Sequence, residues 1–162
     1  MFKKFGIFTS IFCLILSLIF LPNHNDNFIF PIKSSYYITS KFGYRQLYNR
    51  QNFHTGVDIA YSVGTKIYSS SYGKVSYIGF DHDGYGNYII ISYGSYKFFY
   101  GHLNEIQNVS LNETVYPGKL ISSIGPLYLS NGKRNGNTTG PHLHFEIRLN
   151  GKAVNPLEYI TL

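Results

Sequence analysis

Asn87-Tyr88-Ile89-Ile90-Ile91-Ser92-Tyr93-Gly94-Ser95-Tyr96-Lys97-Phe98-Phe99-Tyr100 is the stretch that decides the fold class. β-Branched and aromatic residues fill both halves, and Tyr93-Gly94-Ser95 between them has turn chemistry, so the segment reads as two strands joined by a tight reversal. The same pattern recurs outward in both directions. Short runs at Tyr36 to Thr39, Val57 to Ala60, Lys66 to Tyr68, Lys74 to Ile78, Lys119 to Ile124 and Leu143 to Leu149 are separated by turn-forming clusters. These include Ser62-Val63-Gly64, Ser71-Tyr72-Gly73, Asp83-Gly84-Tyr85-Gly86 and Tyr116-Pro117-Gly118. Asn150-Gly151 after Leu149 is a two-residue hairpin turn returning through Lys152-Ala153-Val154. Beyond residue 21 no stretch shows a helical period. Many short strands at this spacing predict an all-β, mostly antiparallel sandwich or partly open barrel. The longest irregular stretch, Pro126 to Pro141, is of a length that compact domains reserve for functional or mobile loops.

Composition narrows the classes further. The 162 residues suit one domain, and 14% charged with 18% aromatic residues excludes both a disordered chain and a coiled coil. The single Cys13 allows no internal disulfide, so packing or a metal must stabilise the fold. The formal charge of +6 drops to +4 without Lys3 and Lys4, and the rest is spread with no basic block. No interleaved Arg and aromatic pattern is present, and nucleic acid is not expected as a partner.

Phe5 to Leu21 is almost wholly apolar, preceded by two lysines and followed by Pro22 and the polar Asn23-His24-Asn25-Asp26-Asn27. A basic head before a short apolar run describes a signal peptide or an N-terminal membrane anchor. No small-x-small cleavage site follows, which favours an uncleaved anchor. Residues 1–21 are therefore expected to be this apolar helix, 22–30 a linker, and 31–162 the exported domain, acting as a monomer.

The histidines carry the chemistry. His54 and Asp58, four apart in a β-branched context, are expected on one face of a strand, and His142 and His144 flank Leu143 on one face of another. His102 closes an aromatic strand. Each cluster alone is weak. Together, imidazoles and a carboxylate are what zinc takes at neutral pH, and three protein ligands leave a fourth position open, as in catalytic sites.

Gly140-Pro141-His142-Leu143-His144-Phe145-Glu146, preceded by Asn137-Thr138-Thr139, resembles the signature of the lysostaphin/LytM-type zinc endopeptidases that cut bacterial peptidoglycan. Ile38-Thr39-Ser40-Lys41-Phe42-Gly43-Tyr44-Arg45, His54-Thr55-Gly56-Val57-Asp58-Ile59-Ala60, Gly84-Tyr85-Gly86-Asn87-Tyr88, Tyr100-Gly101-His102-Leu103 and Val115-Tyr116-Pro117-Gly118 extend the likeness across residues 36 to 158. It implies a LytM-like, duplicated-hybrid-motif fold and Zn²⁺ as cofactor. It assigns His54, Asp58 and His144 as metal ligands, and His142 and His102 as the catalytic histidines. Zinc held in this way lowers the pKa of water from about 15.7 toward about 7. One histidine would then act as base while the other stabilises the developing oxyanion. Glu146, on the face of His144, is a candidate acceptor for that ligand's second N–H.

The implied partners are peptidoglycan peptide cross-bridges, together with the membrane through the N-terminal segment. The implied location is exported, periplasmic or cell-envelope, tethered to the inner membrane by residues 5–21 if they are kept. Two departures stand out: Ser92-Tyr93-Gly94 stands where the family often has a histidine, and the segment between Ile124-Gly125 and Thr139-Gly140 is longer than the family's usual connection. Asp81-His82-Asp83-Gly84 lacks the later oxygen ligands of a calcium loop and reads as an exposed turn. The rival from another class is a catalytically silent domain of the same fold that binds the wall or activates another hydrolase. A metal-sensing β module is a third, weaker reading.

Overall fold

A computed structural model describes residues 28–161 apart from 36, 48 and 106. The apolar helix expected over residues 1–21 lies outside the described residues. Among those described, no helix is long and apolar enough to cross a membrane.

The regular structure among the described residues is almost entirely strand: β1 (Phe28–Ile29), β2 (Ile38–Ser40), β3 (Gly43–Leu47), β4 (Arg50–His54), β5 (Val57–Ala60), β6 (Lys66–Tyr68) and β7 (Gly73–Asp81) come first. They continue as β8 (Gly86–Tyr93), β9 (Tyr96–Gly101), β10 (Thr114–Val115), β11 (Leu120–Ser123), β12 (His142–Leu149), β13 (Lys152–Val154) and β14 (Ile160–Thr161), with one 3-10 turn at Pro156–Glu158. The expectation of an antiparallel all-β fold holds, and the sheet stays open rather than closing into a barrel. Its order is β10-β7-β8-β9-β12-β5-β2. β12 is the hinge of the layout. One edge pairs with β9; the other pairs with β5 along its first half and with β13 along its second. Asn150 and Gly151 adopt φ of 50° and 80°, both positive as the expected hairpin turn requires.

Alternation along these strands divides packing from chemistry. Leu143, Phe145 and Ile147 of β12, Val57 and Ile59 of β5, and Phe98 and Tyr100 of β9 are fully buried on one face. They join Ile67 of β6 and Ile121 of β11 in a single core. Each such side chain contributes about 2 kcal/mol of burial. His142, His144 and Glu146 alternate with the core residues of β12, and Asp58 sits between those of β5.

Phe28, Phe30 and Ile32 also enter this core, and β1 pairs in parallel with β14, Phe28 opposite Ile160. Residues 28–30 were expected as linker. Here they are part of the folded body, because two large aromatic rings gain more by packing than by solvation.

Candidate metal centre

His54 ends β4 and Asp58 lies in β5, with a bend at Thr55–Gly56 between them, so the single extended run expected over 54–58 is two strands. Gly56 makes the bend possible: a Cβ there would overlap the Phe145 carbonyl. The bend turns the His54 ring to face Asp58 and His144.

His54 Nε2, Asp58 Oδ1 and His144 Nδ1 form a triangle. The His54–Asp58, His54–His144 and His144–Asp58 edges measure 3.1, 3.1 and 2.8 Å. A tetrahedral zinc with ligands at about 2.0–2.1 Å has edges of about 3.3 Å, so these three atoms are nearly one tetrahedral face. Their chemistry fits as well. His54 Nδ1–H donates to the Lys41 carbonyl at 2.9 Å, which leaves Nε2 with its lone pair. His144 Nε2 lies 3.0 Å from Glu146 Oε1 and donates to it, which turns Nδ1 inward as the second lone pair. Arg45 Nη1 donates to Asp58 Oδ2 at 3.2 Å and leaves Oδ1 to the triangle. Three lone pairs at this spacing repel unless a proton or a cation sits among them.

Burial alone would raise the Asp58 carboxyl, but hydrogen bonds to His144 and His54 overcome it and hold the group well below the usual carboxylate range. Burial alone would lower His144, but its bonds to Asp58 and Glu146 push it up to about 9, the same demand for positive charge in protonic form. Glu146 is fully buried and ionised, held down to about 2 against its burial by His144, Thr55 and Tyr85. Thr55 Oγ1 and Tyr85 Oη (2.8 Å) donate to its Oε1, and Arg148 Nε donates to its Oε2 at 2.9 Å.

His142 and His102 flank the triangle. His142 Nε2 is 3.6 Å from Asp58 Oδ1, and its Nδ1–H donates to the Gly140 carbonyl at 2.9 Å. The His102 ring stands 4.5 Å from that of His142, centroid to centroid, and its Nδ1–H donates to the Asn135 carbonyl at 2.9 Å. Burial pushes both imidazoles down, and His102, further opposed by His142, falls to about 3. Both are therefore neutral at pH 7, with Nε2 unprotonated. All five residues singled out in the sequence line one cleft of about 350 Å³, bounded by Phe53 and Leu47 on the hairpin side and by Asn137–Thr139 on the other. Thr55, Tyr85, Arg148 and Asn135 are the partners that sequence reading missed. Tyr85 could have been flagged as an aromatic residue between two turn glycines, whereas the others carry no local signal.

An open antiparallel fold presenting two imidazoles and a carboxylate to one point, with two neutral histidines beside them, defines a metallopeptidase-like centre. The model of Peptidase family M23 matches residues 52–156, and the chain belongs to that family. It is 35% identical over 123 residues to the DD-carboxypeptidase/endopeptidase Mpg of Neisseria meningitidis serogroup B, covering 74% of this chain and 26% of that protein. It is 41% identical over 106 residues to the murein hydrolase activator NlpD of Escherichia coli K12, covering 65% of this chain and 25% of the relative. A crystal structure of a zinc-containing peptidase from Vibrio cholerae superposes with a TM-score of 0.66 at 32% identity, over 80% of this chain and 39% of that one. The chain thus spans about a quarter of the length of the curated relatives it matches.

Proposed function

We propose that this protein is a zinc-dependent endopeptidase that hydrolyses peptide cross-links of bacterial peptidoglycan at the cell envelope. His54, Asp58 and His144 would hold the metal, with His142 and His102 as the catalytic histidines. The observation that carries the reading is the convergence of three lone-pair atoms within 3.1 Å beside two neutral imidazoles. When bound, the metal supplies positive charge that acidifies water and polarises a peptide carbonyl.

The chain's own groups do the rest. His142 Nε2, the lone pair close to Asp58, accepts the proton of the attacking water. His142 then delivers that proton to the departing amine, while the neutral His102 ring, 4.5 Å away centroid to centroid, accepts a hydrogen bond from the reacting groups at Nε2, and both rings are aimed by carbonyls on their Nδ1–H. Glu146 orients His144 and keeps it a strong donor. An extended peptide can lie between the hairpin wall and the Asn137–Thr139 strip. Residues 5–21 would export the chain or anchor it to the inner membrane, facing the wall.

The likeness to a murein hydrolase activator favours a second reading, a silent domain that stimulates another hydrolase. The two part on one measurement: zinc content and cleavage of cross-linked muropeptides by the full chain, with His142→Ala and His102→Ala as controls. Cleavage that both substitutions abolish supports the enzyme. Stoichiometric zinc without cleavage supports the activator.

A further inference from the structure

Asn135 stands in the middle of the long connection between β11 and β12, yet it is fully buried. Its carboxamide makes three of its four possible bonds. Oδ1 accepts from the Asn87 N–H at 2.9 Å, and Nδ2 donates to the carbonyls of Leu103 at 3.0 Å and Pro126 at 3.2 Å. Asn87 lies at the start of β8, just after the turn that carries Tyr85, Leu103 follows His102 directly, and Pro126 opens the connection. One side chain therefore ties three segments to each other at the back of the cleft.

The surroundings are shaped to admit it. A Cβ on Gly86 would overlap the Asn135 carbonyl and Oδ1, and one on Gly125 would crowd its Nδ2. His102 holds φ at 58°, a left-handed conformation uncommon for a residue with a side chain. Its N–H donates to the Tyr85 carbonyl at 2.7 Å, and its carbonyl accepts from the Gly125 N–H at 2.9 Å. The backbone of His102 is thus fixed by neighbours that Asn135 bridges, and its ring is fixed by the Asn135 carbonyl itself.

We propose that Asn135 is the positioning residue of His102. Its carboxamide clamps the connection to Asn87 and Leu103, so that its own carbonyl holds His102 as the Nδ1–H tautomer and keeps Nε2 as an acceptor beside His142. The inference's consequence for turnover rests on His102 belonging to the catalytic pair. It makes the long connection a working part of the site rather than a surface excursion.

The test reads tautomer and turnover separately. In the zinc-loaded full chain with ¹⁵N-labelled histidine, long-range ¹H–¹⁵N correlation reports which ring nitrogen of His102 is protonated, with His102→Ala giving the assignment. The expected wild-type result is a proton on Nδ1. In Asn135→Ala, His102 should populate both tautomers, and kcat on cross-linked muropeptides should fall about 10- to 100-fold. KM should stay within about twofold, with zinc content intact. Asn135→Ser, whose hydroxyl can replace one bond, should recover part of both signals. Should Asn135→Ala fail to fold, the same comparison runs on Asn135→Ser. A wild-type proton on Nε2, or unchanged tautomer and kcat in the variants, overturns the proposal. A wild type that shows the Nδ1 proton but no hydrolysis refutes the catalytic reading while leaving the positioning role standing.

Discussion

His144 lies directly across the β12–β5 ladder from Asp58, and its Nδ1 sits 2.8 Å from Asp58 Oδ1. Two of the three inward-facing atoms are thus set by strand register, and a one-residue slip of either strand would turn its side chain toward the core and part the pair. His54 reaches the same point only through the bend at Gly56. Alanine at any one of the three positions should reduce zinc from about one per chain to a small fraction, measured by atomic absorption after dialysis. Retention of full zinc by His144→Ala would count against the triangle as the binding site.

His142 and His102 flank the triangle without belonging to it. His142→Ala and His102→Ala should each lower kcat by about 10²- to 10⁴-fold while zinc content stays at the wild-type level. Paired measurement of metal and of muropeptide cleavage separates this outcome from general damage to the site.

Glu146 anchors the outer nitrogen of His144 and gathers Thr55, Tyr85 and Arg148 around a fully buried charge. Glu146→Gln keeps the volume and removes the charge. Zinc affinity should fall by about 10- to 100-fold in competition with a chromophoric chelator. An unchanged affinity would reduce Glu146 to a partner of Arg148.

Tyr100 is buried in the core, and its hydroxyl accepts from the Ser70 N–H at 2.9 Å. Burial pushes its pKa up to about 12. An unfolded tyrosine titrates near about 10, so above that pH the unfolded state loses a proton that the folded state keeps. The associated stability is fully present below about pH 10 and is lost as pH rises through about 12, a span worth about 2–3 kcal/mol. Tyr100→Phe leaves the Ser70 N–H unpaired and should cost about 1–2 kcal/mol at pH 7. Its alkaline slope should be shallower, with the gap to wild type closing by pH 12 in urea titrations at fixed zinc.

Much of this was legible in the residues. The runs flanking Gly94, the Asn150-Gly151 turn and the alternation of His142, Leu143 and His144 follow from side-chain period and turn chemistry, which are local. The hairpin of β3 and β4 was not legible. Arg50-Gln51-Asn52-Phe53-His54 has no apolar alternation, because four of its five residues face solvent. Phe28 was hidden for the opposite reason: its partner, Ile160, lies at the other end of the chain. Asn135 reads in sequence as a turn residue beside Gly136, and only the three carbonyl and amide groups drawn from distant segments reveal its burial. The metal-ligating types carried a chemical signature, whereas the residues that aim them are recognisable only by what they touch.

The alternation along β12 has one more consequence. Leu143, Phe145 and Ile147 uphold the fold from one side of the strand, and His142 and His144 face the cleft from the other. Exchanging His142 for a small neutral residue would leave the hydrophobic side untouched. A chain of this architecture can fall silent without falling apart, and a hydrolase and a non-cleaving regulator can stand one substitution from each other on the same framework.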